Sequence, residues 1–505
     1  MIFLGLDIGS TGCKCAAYDE TGRQIALRYR EYPLAAGQAD MDAAALWEET
    51  RNCIAQCVAD IHPLEVTNIA VTSFGEACCA IDRDGNILHD FMMYTDKRGE
   101  QECAALIDAI GFERLMQITC ERPDAMYSLP KILWMCAKEP HLREKAWKFL
   151  QPTDFICYQL TGEATVSANF ACRTMAYDVA AGCWSREILD AAGLDEAQLP
   201  TVVAPGSVVG TLRQSAADAL GLPASVAVIN VAQDQVCASI GAGVLRAGEA
   251  VDGTGSVECV TPLFAERISS AAFHEKNFVC VPHVVPRMYC TYAFNFSGGV
   301  LLKWFRDSFA QHLKGEASAR GVSIYRLLDE RCPAIPSDVL VVPHFLGAGG
   351  TPDLVGKAKG TITGLTMQTT PGDLYRAVME GLTFEIAYNL RALREFGITV
   401  RSLRATGGGA SSPIWRRIKA DILNCPITPV ASDQAGACGC AMTGAVAAGV
   451  FADLREAAEV FVRCGEPTLP DPTMRAFYDE KFGRYAEARN AMLALWRATG
   501  DTSAF

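Results

Sequence analysis

Apolar and polar positions alternate along this chain with two different periods. Short apolar runs near the amino terminus predict strands over residues 2–6, 13–18 and 24–32. Apolar residues at helical spacing predict helices over 42–61, 100–115, 129–137, 373–395 and 474–499. Strands that alternate with helices in this way are typical of a layered α/β fold.

A glycine-containing turn follows an apolar strand at two places in the chain. The first strand ends at Asp7 and continues into the small residues of 9–14. The same pattern returns about halfway along, where an apolar strand ends in residues 253–256, and an alanine-rich helical stretch ends between the two turns. The repetition predicts two related domains, 1–247 and 248–505, that flank a central cleft.

Length and charge restrict the class of protein. The chain has 505 residues, whereas single hydrophobic cores stop growing at roughly 250–300 residues, so two or more domains are expected. The net charge is -13 and no block of lysine or arginine is present. Because phosphate contacts need a basic face, nucleic acid is not an expected partner.

The cysteines predict a cellular location rather than a metal site. The chain has 21 of them, scattered and odd in number, and no CxxC motif pairs with a second one at zinc-site spacing. Most suit small buried packing positions in a reducing cytoplasm, and Met1 leads into a strand without a signal sequence. The apolar run 437–452 is rich in glycine and alanine, which predicts a close-packed helix rather than a membrane span. We therefore expect a cytoplasmic protein with no membrane partner.

The first turn has the chemistry of a phosphate site. Gly9, Ser10 and Thr11 would let backbone amides face a phosphate, and Lys14 adds a mobile positive charge. Asp7 could hold Mg²⁺ directly or through water. The alternative is a tight β-hairpin whose glycines only satisfy the geometry of the turn.

Two further glycine segments offer the same kind of backbone donors. They comprise Gly253, Thr254, Gly255 and Ser256, and Gly407, Gly408, Gly409 and Ser411. The latter segment follows a strand and precedes a helix that begins near Pro413, which is a common position for a nucleotide, although a triple glycine also suits a linker. No GxxxxGK[ST] motif occurs, so a P-loop site is not supported.

Several acidic residues lie where strands end. Asp234 follows an apolar run and begins a helix, so it suits either a helix cap or a general base that accepts a hydroxyl proton. Glu76 ends another strand and could bind the hydroxyl groups of a polyol. Asp96 and Arg98 suit either substrate binding or a salt bridge with each other.

Together these motifs resemble the FGGY carbohydrate kinases of the sugar kinase, Hsp70 and actin superfamily. The matching segments span nearly the whole chain and are 4–19, 71–82, 94–99, 127–135, 152–163, 231–256, 296–305, 372–385 and 405–427. The resemblance implies an α/β fold of two ribonuclease-H-like domains, of the actin-like ATPase type, which close over ATP and a sugar.

The resemblance also implies roles for individual residues. Asp7 would associate with Mg²⁺, and Asp234 would be the catalytic base and contact the substrate. Glu76 lies where glycerol kinases carry a polyol-binding glutamate, and Asp96 and Arg98 would complete the substrate site. The ATP-binding residues would be Gly9, Ser10, Thr11, Lys14, Gly253, Thr254, Gly255, Ser256, Gly299, Gly407, Gly408, Gly409 and Ser411.

The acceptor is the least defined part of this expectation. Gly75 stands where glycerol kinases carry an arginine, and residues 74–76 do not reproduce the Gln-Met-His run of xylulokinases. We expect a ketopentose such as xylulose or ribulose, with glycerol, erythritol or a fuculose-like ketohexose as alternatives. From a different class, an actin- or Hsp70-like ATPase would share the phosphate turns without a sugar. The resemblance also allows a homodimer.

Overall fold

Two mixed β-sheets with helices packed against them form the frame of this α/β protein. A computed structural model describes residues 1–33, 40–431 and 434–499. The strands in chain order are β1 (Ile2–Ile8), β2 (Gly12–Asp19), β3 (Gln24–Glu31), β4 (Asp40–Met41), β5 (Val66–Ser73), β6 (Cys78–Ile81), β7 (Ile87–Met92), β8 (Lys148–Leu150), β9 (Thr165–Ser167), β10 (Tyr177–Asp178), β11 (Cys183–Trp184), β12 (Thr201–Val203), β13 (Ser207–Thr211), β14 (Ala227–Gln233), β15 (Glu249–Thr254), β16 (Glu258–Phe264), β17 (Val281–Pro282), β18 (Tyr289–Cys290), β19 (Ala293–Asn295), β20 (Leu340–Val342), β21 (Thr361–Thr363), β22 (Ser402–Gly407) and β23 (Ile427–Pro429).

The α-helices are distributed over both halves of the chain. In chain order they are α1 (Ala43–Val58), α2 (Glu100–Ile110), α3 (Phe112–Thr119), α4 (Ser128–Lys138), α5 (Leu142–Lys145), α6 (Pro152–Thr161), α7 (Ala168–Ala171), α8 (Arg186–Ala192), α9 (Gln214–Leu220), α10 (Asp234–Gly241), α11 (Ala271–Glu275), α12 (Gly299–Phe309), α13 (Lys314–Arg320), α14 (Ile324–Glu330), α15 (Pro371–Arg394), α16 (Pro413–Leu423), α17 (Ala435–Ala447), α18 (Leu454–Phe461) and α19 (Arg475–Ala498).

The first sheet places three parallel strands side by side. Its strand order is β13-β14-β5-β1-β2-β3, in which β1 and β2 form an antiparallel hairpin. β1 is parallel to β5, and β5 is parallel to β14. Ile8 and Gln233 both pair with Ser73, so the carboxyl ends of the three strands lie in one row.

The second sheet repeats this plan. Its strand order is β17-β18-β16-β15-β22-β23, with β19 also paired with β16. β15 and β16 are antiparallel, whereas β15 is parallel to β22 and β22 is parallel to β23. An antiparallel hairpin followed by parallel strands therefore occurs in each half, which confirms the predicted α/β fold of two related units.

Helix α17 lies in the second half of the sequence but packs on the first sheet. A Cβ atom added to Gly5 on β1 would lie 1.9 Å from the carbonyl oxygen of Ala437. A Cβ atom added to Gly439 would lie 2.0 Å from the carbonyl oxygen of Cys237 on α10. Glycine at these positions lets the backbones touch. The close-packed helix predicted from this Gly/Ala-rich run is therefore present.

One predicted helix is divided in the structure. The range 100–115 contains α2 and α3, separated by Gly111, whose φ of 97° ends α2. The expectation was wrong because the apolar spacing continues across Gly111 while the backbone does not. The other four predicted helices correspond closely to α1, α4, α15 and α19.

The structure tests the predictions that the cysteines pack in the core and that no segment spans a membrane. All cysteines are free thiols, and all except Cys183, Cys332 and Cys464 are buried, as expected for packing residues. Among the described residues, no helix is both long enough and apolar enough to cross a membrane.

Candidate active site

Three acidic residues converge at the row of strand ends in the first sheet. Asp7 is the penultimate residue of β1, Glu76 lies shortly after β5, and Asp234 directly follows β14. Carboxyl ends of parallel strands are the usual place for sites in α/β folds. The carboxylates of Asp7 and Glu76 both contribute to the raised pKa of Asp234, so the three side chains lie within electrostatic range of one another.

Asp7 is half-buried beside the first turn. In the hairpin register it pairs with Lys14. Burial raises the pKa of Asp7, and the charge of Lys14 offsets part of that rise. Helix α17 begins next to it, since a Cβ atom on Gly436 would lie 2.9 Å from Asp7 Oδ2. Glycine at 436 therefore leaves space in front of the Asp7 carboxylate.

Asp234 is the first residue of α10, and its carboxylate is held by the backbone. The amide of Gln235 donates to Asp234 Oδ1 at 2.6 Å. The residue that caps the helix is Gln233, so Asp234 is not the helix cap that its position in the sequence allowed. Burial, followed by the charges of Asp7 and Glu76, raises the pKa of Asp234 to about 7. A carboxyl group with this pKa is suited to accept a proton near neutral pH.

Glu76 is buried in a strained backbone conformation. Its φ is 68°, in the left-handed region that residues other than glycine rarely adopt. Its amide donates to Gln151 Oε1 at 3.0 Å, and its carbonyl accepts from Ser128 Oγ at 3.0 Å. These contacts fix the backbone that directs the carboxylate. Strained residues of this kind cluster at functional sites.

The carboxylate of Glu76 is paired with Arg173, which the sequence analysis did not identify. Arg173 Nε donates to Glu76 Oε1 at 2.5 Å, and Arg173 Nη1 lies 3.5 Å from Glu121 Oε2. The guanidinium carbon lies 5.0 Å from the ring centroid of Tyr127 and 5.8 Å from that of Tyr292. Burial raises the pKa of Glu121 well above its usual range, against the opposing charge of Arg173.

Tyr292 brings a side chain of the second half into this group. Its hydroxyl donates to Gln233 Oε1 at 2.6 Å, and Gln233 Nε2 lies 3.5 Å from Glu76 Oε1. The residue directly before Asp234 is therefore fixed between Tyr292 and Glu76. Both halves of the chain contribute to the surroundings of the three acids.

Asp96 and Arg98, predicted for the substrate site, are paired with each other. Arg98 Nε donates to Asp96 Oδ2 at 2.8 Å, and Arg98 also forms an ion pair with Asp40. The guanidinium carbon of Arg98 lies 4.6 Å from the ring centroid of Trp134. The polar groups of both residues are thus engaged in the salt-bridge arrangement that the sequence left open as an alternative.

The first turn is a tight connection between β1 and β2. The amide of Gly9 donates to the carbonyl of Gly12 at 2.9 Å and closes the turn over Ser10 and Thr11. Ser10 forms a hydrogen bond with the hydroxyl group of Tyr94. Ser10 and Thr11 therefore form the tip of the turn.

The second turn holds the beginning of α12. The amide of Gly255 donates to the carbonyl of Val257 at 2.9 Å. The carbonyl oxygens of Gly255 and Ser256 accept from the amides of Gly299 at 2.8 Å and Val300 at 3.1 Å. A Cβ atom on Gly299 would lie 2.6 Å from the Gly255 oxygen. The amide of Gly299, predicted as an ATP ligand, is therefore engaged by the turn itself.

β15 and β22 end side by side, so the second turn meets the third glycine segment. Thr254 pairs with Gly407 in parallel register. Gly407 has a φ of 77°, and a Cβ atom there would lie 2.4 Å from the carbonyl oxygen of Thr254. A Cβ atom on Gly409 would lie 2.7 Å from Thr254 Cβ. A 3₁₀ turn over Gly408–Ser411 leads into α16, which begins at Pro413 as predicted.

The hydroxyl group of Thr254 is turned into the core of the second half. It donates to Asp252 Oδ1 at 3.1 Å and accepts from Lys419 Nζ at 2.9 Å. The sequence predicts Thr254 as one of the ATP-binding residues. In the structure its side chain binds other protein groups.

The donor set around Asp7 fits Mg²⁺ in the presence of phosphates. Among the residues that the structure describes, no group of three or more His, Cys, Asp or Glu side chains forms a metal site. Mg²⁺ is usually held by only one or two carboxylates, while phosphates and waters supply the remaining ligands. Asp7, with the space that Gly436 leaves, and the neighbouring Asp234 match that requirement.

Two functional candidates that the sequence analysis missed carry a weak signal in the sequence. Arg173 is an isolated charge in the largely apolar stretch 171–177, and Lys419 lies four residues after Trp415 on the same buried face of α16. A charged residue at a core-facing position is rarely buried without a partner. The sequence therefore indicates that Arg173 and Lys419 each have a partner, but it does not identify that partner.

Comparison with known proteins identifies the family. A model of the FGGY family of carbohydrate kinases, N-terminal domain, matches residues 2–241, and the model of the C-terminal domain matches 252–448. The xylulose kinase of Bacillus subtilis (strain 168) is 27% identical over 467 residues, 91% of each chain. The autoinducer-2 kinase of Klebsiella pneumoniae is 27% identical over 534 aligned positions, which cover 98% of this chain and 97% of that relative.

Solved structures of similar proteins share the fold. The xylulose kinase from Rhodospirillum rubrum superposes with a TM-score of 0.88 at 24% identity, covering 98% of this chain and 100% of that one. The gluconate kinase from Lactobacillus acidophilus gives a TM-score of 0.87 at 22% identity, covering 99% of each chain. The two family models together cover most of the sequence. The chain therefore belongs to the FGGY family of carbohydrate kinases, enzymes that phosphorylate a small-molecule sugar with ATP.

Proposed function

We propose that this kinase transfers the γ-phosphoryl group of ATP to a hydroxyl group of a ketopentose such as xylulose or ribulose. The observation that carries the proposal is Asp234, a carboxyl group with a pKa of about 7 placed beside Asp7 and the Arg173-paired Glu76. Relatives named xylulose kinase, from Bacillus subtilis and Staphylococcus epidermidis, support a ketopentose as the acceptor.

Glu76 is the proposed anchor for the acceptor. Its backbone is fixed on both sides, and Arg173 binds one of its two carboxylate oxygens. A carboxylate offers about four acceptor positions, so capacity remains for the hydroxyl groups of a sugar. Asp96 and Arg98 would then support the wall of the site through their mutual ion pair.

The glycine segments of both halves are the proposed nucleotide site. Residues 9–11 with Lys14 would face the phosphates from the first half, and the backbone of 253–256 would do so from the second. Residues 407–411 would lie on the adenosine side. Asp7 would hold Mg²⁺, directly or through water, and the ion would neutralise charge that develops on the phosphates.

In the proposed reaction, Asp234 takes part in one proton transfer. Asp234 accepts the proton of the acceptor hydroxyl as that oxygen bonds to the γ-phosphorus, and the bond to the bridging oxygen breaks to release ADP. Phosphoryl transfer depends mainly on alignment and charge neutralisation. The carboxylates of the first half and the backbone donors of the second half would provide both the alignment and the charge neutralisation.

ADP release measured over a panel of acceptors tests the proposal. We expect turnover with xylulose or ribulose and much less with glycerol, erythritol or a fuculose-like ketohexose. Turnover confined to one of those other acceptors would refute the ketopentose. Equal ATP hydrolysis with and without sugar would refute the kinase role of the site and favour an ATPase.

Two variants, one on each side of Arg173, test the role of Glu76 in sugar binding. Glu76→Gln is expected to raise KM for the sugar about tenfold, because it removes a hydrogen bond to a charged acceptor. Glu121→Gln is the matched control, since Glu121 lies on the other side of Arg173, with its Oε2 3.5 Å from Arg173 Nη1. Equal effects of the two variants on KM would contradict the proposed role of Glu76.

We also propose that the two domains divide near residues 247 and 248. The family models end at 241 and resume at 252. Between them, the carboxylate of Glu249 accepts from the amides of Leu245 at 3.0 Å and Arg246 at 3.1 Å. This contact closes the connection that leads into β15.

A further inference from the structure

A buried lysine lies beneath the second turn. Lys419 on α16 is 2% exposed, and Asp252 and Glu258 beside it are 1% and 0% exposed. Lys419 Nζ forms an ion pair with Asp252, lies 2.7 Å from Glu258 Oε1 and donates to Thr254 Oγ1 at 2.9 Å. The ring of Trp415 lies 4.5 Å from Nζ and covers the group.

The ammonium group is fully used by this cluster. It has three hydrogens and no acceptor, and three protein groups surround it. Burial raises the pKa of Glu258 to about 7, against the opposing charge of Lys419 and with a further rise from Asp252.

The cluster joins the two glycine segments of the second half. Thr254 is the last residue of β15, directly before Gly255. Lys419 fixes its hydroxyl, and Gly409 packs against its side chain. Lys419 itself lies on the helix that follows the turn over Gly408–Ser411. The side chain of Thr254, in the second turn, therefore contacts both the third glycine segment and the helix that follows it.

Stability alone does not explain such a cluster. Burying charged groups costs free energy that their mutual attraction repays only with good geometry, and apolar replacements of similar volume are often neutral or stabilising. An apolar residue at 419 could fill the same space. It could not fix the Thr254 hydroxyl with a directed hydrogen bond.

We propose that Lys419 is a positioning residue for the nucleotide, which sets the geometry of the second turn through Thr254 without contacting ATP itself. The inference rests on the proposed role of residues 253–256 as a phosphate turn. It predicts that loss of the Lys419 hydrogen bond weakens ATP binding and leaves sugar binding unchanged.

Isothermal titration of the full chain with ATP and Mg²⁺, without sugar, measures this directly. Lys419→Met is expected to raise Kd for ATP about tenfold or more, as for loss of a hydrogen bond from a charged donor. Thr254→Val leaves all three charges in place and is expected to raise Kd similarly. Combining the two should add little, because both act through one hydrogen bond.

Lys481→Met is the matched control. Lys481 is 0% exposed, and its Nζ lies 2.6 Å from Glu380 Oε2 and 2.6 Å from the carbonyl oxygen of Ser337. It lies on α19, outside the glycine segments. We expect Lys481→Met to lower thermal stability and to leave Kd for ATP unchanged.

A third variant covers the case in which Lys419→Met does not fold because two carboxylates lose their cation. The triple variant Lys419→Met, Asp252→Asn and Glu258→Gln removes all three charges and should still raise Kd. An unchanged Kd in the folded triple variant or in Thr254→Val overturns the proposal, as does an equal rise in Lys481→Met. A wild-type chain that binds ATP but phosphorylates no sugar would refute the proposed acceptor and leave this test in force.

Discussion

The two halves of the molecule repeat one arrangement of strands but use the strand ends differently. In the first half, β1, β5 and β14 end near Asp7, Glu76 and Asp234, which stay at the edge of the sheet. In the second half, Asp252 turns inward to Lys419, and the ends of β15 and β22 present glycine-rich backbone. One strand edge thus carries carboxylates, which we propose take part in the reaction, and the other carries glycine-rich backbone, which we propose binds the nucleotide.

The difference depends on where the cations are placed. In the second half, a lysine is buried against the acids and removes them from the strand edge. In the first half, Asp234 forms no ion pair with a lysine or arginine among the described residues, and its raised pKa follows from burial and from neighbouring carboxylates. In the proposed function, the position of a few charged side chains thus separates the proton acceptor from the nucleotide-binding surface.

Replacing Asp234, the proposed base, should have the largest effect on activity. Asp234→Asn is expected to lower kcat by about 10²–10⁴-fold, the usual contribution of general base catalysis, and to leave Kd for ATP nearly unchanged. Asp154→Asn is the matched control, since Asp154 is another buried first-half acid, whose carboxylate accepts from Asn230 Nδ2 at 3.0 Å and from the amide of Gln151 at 3.3 Å. Steady-state kinetics of both variants check this. Near-normal kcat in Asp234→Asn would remove the distinction between the halves.

A methyl group added at Gly407, where β22 ends, should have a smaller effect. We expect it to affect nucleotide binding alone. Gly407→Ala is expected to raise Kd for ATP roughly tenfold, because its Cβ atom would lie 2.4 Å from the Thr254 oxygen. Gly397→Ala has a similar positive φ of 83° but no atom within 4 Å of the added Cβ. Calorimetric titration of both variants separates steric displacement from backbone strain. A similar rise in Kd in both would show that the contact with Thr254 is not the cause.

The pH dependence of kcat should show the smallest effect, and we expect the ionisation of Asp234 to cause it. Asp234 must be ionised to accept a proton, so kcat should rise with pH through about 7 and change only about twofold between pH 7 and 8.

The pH dependence of stability should have the opposite sign to that of kcat. A buried acid with a raised pKa binds more protons in the folded than in the unfolded chain, so stability falls as pH rises through that pKa. Asp234→Asn should therefore gain thermal stability relative to wild type at pH 8 more than at pH 5. Melting curves at both pH values test this, and an equal difference at each would contradict it.

Local patterns predicted the strand edges, but they could not predict the pairing of distant side chains. Asp7 and Asp234 each follow an apolar run, which a sequence shows directly. Arg173 meets Glu76 across 97 residues, and Lys419 meets Asp252 across 167, so no local pattern connects either pair. Such contacts depend on the packing of elements that are far apart in the chain.

Side-chain direction was also beyond the sequence. The small residues of 253–256 look equivalent as phosphate donors, yet the Thr254 hydroxyl faces the core because it ends a strand whose alternate positions point inward. Asp96 and Arg98 suited either substrate binding or a salt bridge with each other. Their contacts in the folded chain, including those of Arg98 with Asp40 and Trp134, show the salt bridge. The types of residue were informative, whereas their orientation required the fold.

The position of α17 ties the first sheet to a helix that the second half of the sequence supplies. Asn68 on β5 donates to the carbonyl of Gly444 at 2.8 Å, and Gly5 on β1 admits the backbone of Ala437. A fragment ending at residue 247 would lack this helix and expose an apolar face of its central strands to water. An exchange of halves between relatives would have to move α17 together with the first sheet, although nearly 190 residues separate it from that boundary.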